Sequence, residues 1–292
     1  MKKRCDYMNL WNEDVEISFF EQAINNFASV EQLFYKLSSN YYAYIPKGMS
    51  AENRALQARN SLIGRFTEKW CRNLIEPIAK KNGLYAVNGV ICDSIGLTKQ
   101  SPADLVISKR NTIQQTPDDI KIIFEIKMSI VSNYEYCSDG KIRYVGNYKS
   151  HKGVPSLMRS DSMLKAIGKS VDIRVCSHSA TIPIVVLGNS PISLTYEEKV
   201  DQLKQSGVVQ SFISLNPKPI DENFIKTSDS QGFITPSSYV ELENICKNLL
   251  NTDFYYFSAM KNKKELGEII TLASQENSDI ERAERFLQLI NL

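Results

Sequence analysis

The chain has 292 residues, of which 42% are hydrophobic and 23% charged, an ordinary balance for a globular protein that can bury a substantial core. No apolar run approaches the roughly 18 residues that a membrane-spanning helix needs, and the first residues, Met-Lys-Lys-Arg-Cys-Asp, lack the apolar stretch of a signal peptide. We therefore expect no membrane association and a cytoplasmic location.

Chemistry based on cysteine or histidine is poorly supplied. The six cysteines are scattered without a Cys-x-x-Cys pair, and only two histidines, His151 and His178, are present. This pattern argues against a zinc site and against a disulfide framework. Any catalytic chemistry is therefore expected to depend mainly on carboxylates and lysines.

The first 81 residues are predicted to be mostly helical. Residues 15–37 carry aromatic and aliphatic side chains at helical spacing, which favours a helix packed in the core. Residues 40–48 follow as a strand or loop that ends in a turn. Residues 51–81 show a second apolar stripe at helical spacing, bent or ended near Pro77. Glu68 lies on this helix, and one interpretation is that it is an ordinary solvated surface residue.

Strands and helices then alternate. The apolar patterns predict strands at residues 84–91, 101–108, 121–131, 182–188 and 208–215, helices at residues 160–170 and 196–206, and a largely helical stretch at residues 237–292. The resulting order of one helix, three strands, helix, strand, helix and strand predicts an α/β protein.

The strand at residues 121–131 alternates regularly between two faces. Isoleucine, phenylalanine and methionine side chains occupy one face, whereas Glu125 and Lys127 project side by side from the other. Such a pair suits a site that holds a cation next to a water molecule. An amphipathic strand with a solvated Glu/Lys face has the same pattern, so the pair alone leaves both interpretations open.

A second acid is expected beside Glu125. The strands at residues 101–108 and 121–131 are joined by a polar stretch, which predicts a hairpin with a long loop. The midpoint between Asp104 and Glu125 lies inside that loop, so symmetric pairing makes them cross-strand neighbours with Cβ atoms about 5 Å apart. Two carboxylates at this distance repel unless a positive group lies between them. A divalent cation with Lys127 beside it satisfies that requirement.

Asp104, followed by Glu125-Ile126-Lys127 on the next strand, resembles the motif of the PD-(D/E)XK nuclease superfamily, which includes the restriction endonucleases. The family has a proline directly before the aspartate, whereas Ala103 separates Pro102 from Asp104 here. The resemblance implies a restriction-endonuclease-like αβββαβ core with a mixed central sheet, here with N- and C-terminal helical additions. The predicted order of elements agrees with that core.

The resemblance also implies roles for individual residues. Asp104 and Glu125 would bind Mg²⁺ with the Ile126 carbonyl as a further ligand, and Lys127 would position or deprotonate the attacking water. Glu68 is the best match in this sequence to a further acid that such enzymes often carry on the helix before the sheet.

A chain with these additions and no helicase or ATPase motif most resembles a type II restriction endonuclease, which hydrolyses phosphodiester bonds at a specific double-stranded DNA sequence. Cutting both strands favours a homodimer, and a cognate DNA methyltransferase is implied by the resemblance alone. The alternatives are a DNA repair or recombination nuclease of the same superfamily and a non-enzymatic DNA-binding protein that retains the fold. An α/β interaction protein with a solvated Glu/Lys strand is a further alternative.

Basic residues are concentrated after the candidate strand. Residues 141–174 contain eight Lys or Arg against two Asp, a local charge of +6 in a chain of net charge +2. Such a concentration is typical of a surface that binds a polyanion, and a solvated loop with a lysine-edged helix is the alternative. The predicted DNA-contact residues are Arg143, Lys149, His151, Lys152, Arg159, Lys165 and Lys169.

Three regions are expected from these patterns. Residues 1–50 are predicted to form an N-terminal helical extension, residues 51–220 the nuclease core, and residues 221–292 a C-terminal helical region packed on the core as one domain. Packing against the core or a second subunit explains the apolar stripes of the last region.

Overall fold

The computed structural model describes residues 9–50, 56–218, 225–257 and 261–290. The chain divides into two compact units, Met1–Phe254 and Tyr255–Leu292. The predicted domain boundaries after residues 50 and 220 fall at segments that lie outside the described residues.

The larger unit contains six helices and ten strands within the residues that the structure describes. In chain order these are α1 (Glu13–Asn26), α2 (Val30–Leu33), β1 (Tyr35–Leu37), β2 (Asn40–Tyr42), α3 (Gln57–Lys81), β3 (Tyr85–Val90), β4 (Ala103–Ser108), β5 (Ile120–Lys127), β6 (Asn133–Tyr136), β7 (Ile142–Gly146), α4 (Ser160–Arg174), β8 (Ile184–Gly188), α5 (Glu197–Gln205), β9 (Ser211–Ser214), β10 (Phe233–Ile234) and α6 (Tyr239–Asn251). The smaller unit contains α7 (Lys263–Ala273) and α8 (Asp279–Ile290).

The central sheet has six strands in the order β10-β9-β8-β5-β4-β3. The neighbours β3, β4 and β5 pair antiparallel, whereas β5, β8, β9 and β10 pair parallel. The parallel step from β5 to β8 is connected through α4, as a parallel pair requires a long crossover. The predicted α/β class is therefore confirmed, with a mixed sheet at its centre. The last strand, β10, lies beyond the predicted core boundary at residue 220.

Helices cover both faces of this sheet. On one face, α3 buries Leu74, Ile75 and Ile78 against Phe124 and other apolar side chains of the strands. On the other face, α4 and α5 pack on two further apolar clusters, one of which includes Ile123. Strand β5 is therefore buried on both sides, as is typical of strands in parallel pairs. The interpretation of β5 as a strand with a solvated face is wrong.

Strand β5 ends at Lys127, four residues earlier than predicted. After Lys127, the backbone hydrogen bonds of the sheet are replaced by hydrogen bonds from side chains of other segments. The carbonyl of Lys127 accepts a hydrogen bond from Ser156 Oγ, and Asn189 bonds both the N–H and the carbonyl of Ser129, at 3.2 and 2.6 Å. Because these groups satisfy the backbone, the chain can leave the sheet without burying unpaired polar atoms.

A second sheet has four antiparallel strands in the order β1-β2-β6-β7. The predicted helix at residues 15–37 is broken after Asn26, because Ser29 and Gln32 form a capping box that starts α2 anew. The N-terminal region is therefore not only helical. Its hairpin pairs through β2 with β6, which follows directly on the candidate strand β5.

In the described parts of the chain, no helix combines the length and the apolar character that crossing a membrane requires. The cytoplasmic location stays a prediction.

Candidate active site

The register of β4 and β5 brings the two predicted acids together. Leu105 pairs with Phe124, so Asp104 and Glu125 are the next positions along the two strands. Asp104 Oδ2 accepts a hydrogen bond of 2.7 Å from the N–H of Ile126. The observed register is the one obtained when Asp104 and Glu125 are placed symmetrically about the loop.

Two lysines meet these acids. Lys127 Nζ forms a short ion pair with Glu125 Oε1, and lies 3.9 Å from Asp104 Oδ2 and 3.4 Å from the carbonyl oxygen of Ile126. Lys169 reaches the same acids from α4, with Nζ 2.6 Å from Glu125 Oε2 and 3.4 Å from Asp104 Oδ1. We call Asp104, Glu125, Lys127 and Lys169 the carboxylate–lysine cluster.

Burial and mutual charge set the protonation of this cluster. Glu125 is only 5% exposed, and this burial, together with the charge of Asp104, raises the pKa of its carboxyl group against the opposing effect of the two lysines. For Lys169, burial alone would lower the pKa, but Asp104 and Glu125 outweigh it and raise the pKa. The cluster therefore holds a charged Lys169 between the two acids.

Lys169 belongs to this cluster in addition to the residues predicted for it. It was expected among the DNA contacts, whereas its ammonium group lies inside the cluster and also donates to the carbonyl of Pro102 at 2.8 Å. The helical spacing of the sequence does indicate that Lys169 lies next to the buried face of α4. Lys169 lies three residues after Ala166 and four before Ile173, which are both buried against the sheet, so it borders the buried stripe of α4.

Glu68 lies at the edge of the same site. Its side chain is half-buried on α3, and burial, followed by the charge of Asp104, raises the pKa of its carboxyl group. The side-chain amide of Asn88 on β3 links the two, donating to the carbonyl of Asp104 at 2.7 Å and to the carbonyl of Glu68 at 3.2 Å. The predicted proximity of Glu68 to the acids is therefore present in the fold.

The segment before α4 holds the end of β5 in place. Ser156 is buried with φ of +41°, a backbone conformation that residues other than glycine seldom adopt. Its N–H donates to Ser129 Oγ at 2.9 Å, and its hydroxyl bonds the Lys127 carbonyl and the N–H of Asn189. Neither Ser156 nor Asn189 carries a local sequence pattern that marks this role.

The remaining basic residues of residues 141–174 differ in exposure. Those at the surface are Lys141, Arg143, Lys149, Lys152, Arg159 and Lys165, whereas Arg174 is buried. Among them, Lys141 and Arg143 pair with Asp139, Arg159 pairs with Asp161, and Lys152 donates to the Met49 carbonyl.

His151 is not at the surface. Its ring is 2% exposed and stacks on Tyr44 with ring centroids 4.2 Å apart. One ring nitrogen is 3.0 Å from the Val131 carbonyl oxygen, and the other accepts from the N–H of Gly153. Burial lowers the pKa of this imidazole, which favours the neutral form. We therefore no longer assign His151 to a DNA contact.

The oxygen atoms of the cluster are of the kind that Mg²⁺ prefers. Asp104 and Glu125 contribute carboxylate oxygens, and the Ile126 carbonyl faces the same space, since Lys127 Nζ lies beside it. Within residues 9–50, 56–218, 225–257 and 261–290, no group of three or more His, Cys, Asp and Glu side chains suited to a metal ion occurs. A cation at this position would therefore draw on two carboxylates and a backbone carbonyl.

Comparison of the chain with protein-family models, curated proteins and solved structures gave no match. The functional assignment accordingly depends on the geometry of the site.

Proposed function

We propose that this protein is a magnesium-dependent nuclease that hydrolyses phosphodiester bonds of double-stranded DNA. The observation that carries the proposal is the convergence of Asp104, Glu125 and Lys127 at the ends of two adjacent antiparallel strands. Two acids and a lysine in this arrangement are the groups that metal-assisted phosphodiester hydrolysis needs. The buried position of Glu125 supports a site of this kind, because an acid exposed to solvent needs no such partners.

Each residue has a role that follows from its position. Asp104, Glu125 and the Ile126 carbonyl would hold Mg²⁺, which when bound would neutralise charge on the phosphate and lower the pKa of a water. Lys127 would orient that water through its ammonium group. Glu68 would add a further carboxyl group at the rim of the site, where burial and then the charge of Asp104 raise its pKa.

Specific cleavage of duplex DNA, as by a type II restriction endonuclease, is the form of this activity that we propose. A homodimer would supply two sites for the two strands, and a DNA methyltransferase would accompany such an enzyme. The exposed basic residues between positions 141 and 165 support a polyanionic substrate, because lysine and arginine at the surface neutralise phosphates.

The test is incubation of the purified protein with a long duplex of diverse sequence, in Mg²⁺ or in EDTA. Asp104→Asn and Lys127→Met are compared with Asp118→Asn and Lys109→Met, which change the same residue types at exposed loop positions. Discrete Mg²⁺-dependent fragments from the wild type and both controls, absent in the two site variants, are expected.

Other outcomes point to the alternatives. Cleavage confined to branched, nicked or single-stranded substrates would indicate a repair or recombination nuclease. Salt-sensitive duplex binding without cleavage would indicate a non-enzymatic DNA-binding protein, and binding should then weaken when Lys149, Lys152 and Arg159 are neutralised. A folded protein that neither binds nor cleaves DNA would overturn the proposal.

A further inference from the structure

The ammonium group of Lys169 lies where three segments of the chain converge. It contacts Glu125 on β5, Asp104 on β4 and the Pro102 carbonyl that precedes β4, at 2.6, 3.4 and 2.8 Å. Its side chain is only 17% exposed. A positive group held by two carboxylates and a carbonyl has the surroundings of a bound cation.

Each of the two carboxylates has one oxygen that contacts Lys169 and one that contacts another group. One oxygen of each acid is already engaged, since Asp104 Oδ2 accepts from Ile126 N–H and Glu125 Oε1 pairs with Lys127. The other oxygen of each acid, Asp104 Oδ1 and Glu125 Oε2, faces Lys169. Lys169 therefore contacts the two carboxylate oxygens, Asp104 Oδ1 and Glu125 Oε2, that are not the nearest partners of Lys127 or of the Ile126 N–H.

A divalent cation at this site would need those same oxygens. Lys169 and the cation carry charge of the same sign, so both cannot lie against Asp104 Oδ1 and Glu125 Oε2 without repulsion. The long aliphatic stem of lysine allows its ammonium group to move aside while the helix stays in place.

We propose that Lys169 is a built-in counter-cation that competes with a divalent metal ion for Asp104 and Glu125 and thereby sets the metal affinity of the site. This inference depends on the proposed function only in assuming that a divalent cation binds at the two acids. Lys127 does not have the same role, because it pairs with the other oxygen of each acid, Glu125 Oε1 and Asp104 Oδ2.

The test measures binding of Mn²⁺ to the protein without DNA, from the electron paramagnetic resonance signal of the free ion. Lys169→Met removes the charge and keeps an unbranched chain, whereas Lys169→Gln retains a hydrogen-bond donor should the methionine variant not fold. Lys109→Met removes an exposed lysine outside the predicted DNA contacts and is the control. The double variant Asp104→Asn, Lys169→Met tests whether the ion binds at the cluster.

We expect both Lys169 variants to bind Mn²⁺ roughly ten- to a hundredfold more tightly than the wild type, since a competing charge a few ångströms away is removed. The Lys109→Met protein should bind Mn²⁺ like the wild type, and the double variant should lose the gain in affinity. Unchanged or weaker binding in both Lys169 variants, or tighter binding that survives in the double variant, would overturn the inference. These outcomes are independent of cleavage. Duplex cleavage by the wild type without the affinity gain would refute the role of Lys169 alone, and the gain without cleavage would refute the nuclease alone.

Discussion

Replacement of Glu16 tests how the fold supports the segment that follows the candidate strand. This carboxyl group of α1 is 1% exposed and accepts four hydrogen bonds. Oε1 accepts from Trp11 Nε1 at 2.9 Å and Val131 N–H at 2.6 Å, and Oε2 accepts from Ser132 N–H at 3.1 Å and Tyr134 O–H at 2.8 Å. Burial raises the pKa of Glu16 to about 7 even though all four hydrogen bonds oppose it.

That pKa determines how the contribution of Glu16 to the free energy of unfolding changes with pH, both in sign and in size. Below the ordinary pKa of 4.5 the group is protonated in both the folded and the unfolded chain. Between pH 4.5 and 7 only the unfolded chain ionises, so the contribution of Glu16 to the free energy of unfolding falls as the pH rises. At about 1.4 kcal/mol per pKa unit, the loss amounts to roughly 3 kcal/mol by neutral pH.

The measurement is the free energy of unfolding in urea, from pH 5 to pH 8, for the wild type and Glu16→Gln. Subtracting the two curves isolates the titration of Glu16, and the stability advantage of the wild type should shrink by roughly 2–3 kcal/mol across this range. Glu21→Gln, at an exposed position on the same helix, should follow the wild type in parallel. A difference that stays flat, or grows with pH, would refute the reasoning, because it would mean that the four donors outweigh the burial.

Four further changes test the site and its supports. Lys127→Met should reduce Mg²⁺-dependent cleavage by about 10²–10⁴-fold, since the group that orients the water is lost. Initial rates of cleavage measure the effect, and a smaller loss than tenfold would contradict the role of Lys127. Ser156→Ala should lower the free energy of unfolding by about 1–2 kcal/mol, because the Lys127 carbonyl loses a buried hydrogen-bond donor. An unchanged midpoint of urea unfolding would argue against that contact. Gly188→Ala should lower the free energy of unfolding by about 1–3 kcal/mol, since the added Cβ would lie 2.4 Å from the buried side chain of Leu157. A variant as stable as the wild type in urea would show that Leu157 moves aside freely. Burial opposes ionisation of Asp201, yet hydrogen bonds from residues 228, 230 and 232 lower its pKa. The stability deficit of Asp201→Asn in urea unfolding should therefore be full at pH 7 and shrink as the pH falls through the folded-state pKa. A deficit that grows as the pH falls would contradict that sign.

Periodicity along the chain was enough to predict the α/β class and five of the six described strands of the central sheet, with β10 as the exception. It was also enough to predict that Asp104 and Glu125 are cross-strand neighbours, since a hairpin with a symmetric loop has a definite register. The pairing of Leu105 with Phe124 agrees with that prediction. These are local properties, because each depends on residues less than about thirty positions apart.

The solvent exposure of β5 was not predictable in the same way. Alternation of polar and apolar residues is shared by a half-exposed strand and by a buried strand with a polar site. Only the packing of α4 on the second face of the sheet buries Glu125. The burial of His151 beneath Tyr44 likewise depends on a contact between distant segments.

The sequence alone determined the two strands, their register and the acids and lysine at their ends, because side-chain alternation and hairpin pairing are encoded within one short stretch. The tertiary structure decided that Lys169 joins those acids, that Ser156 and Asn189 end the strand, and that Glu16 anchors the segment beyond it. Each of these contacts joins residues 27 to 118 positions apart along the chain. Nothing in the local pattern of either partner specifies such a contact, since it arises only when helices and strands pack.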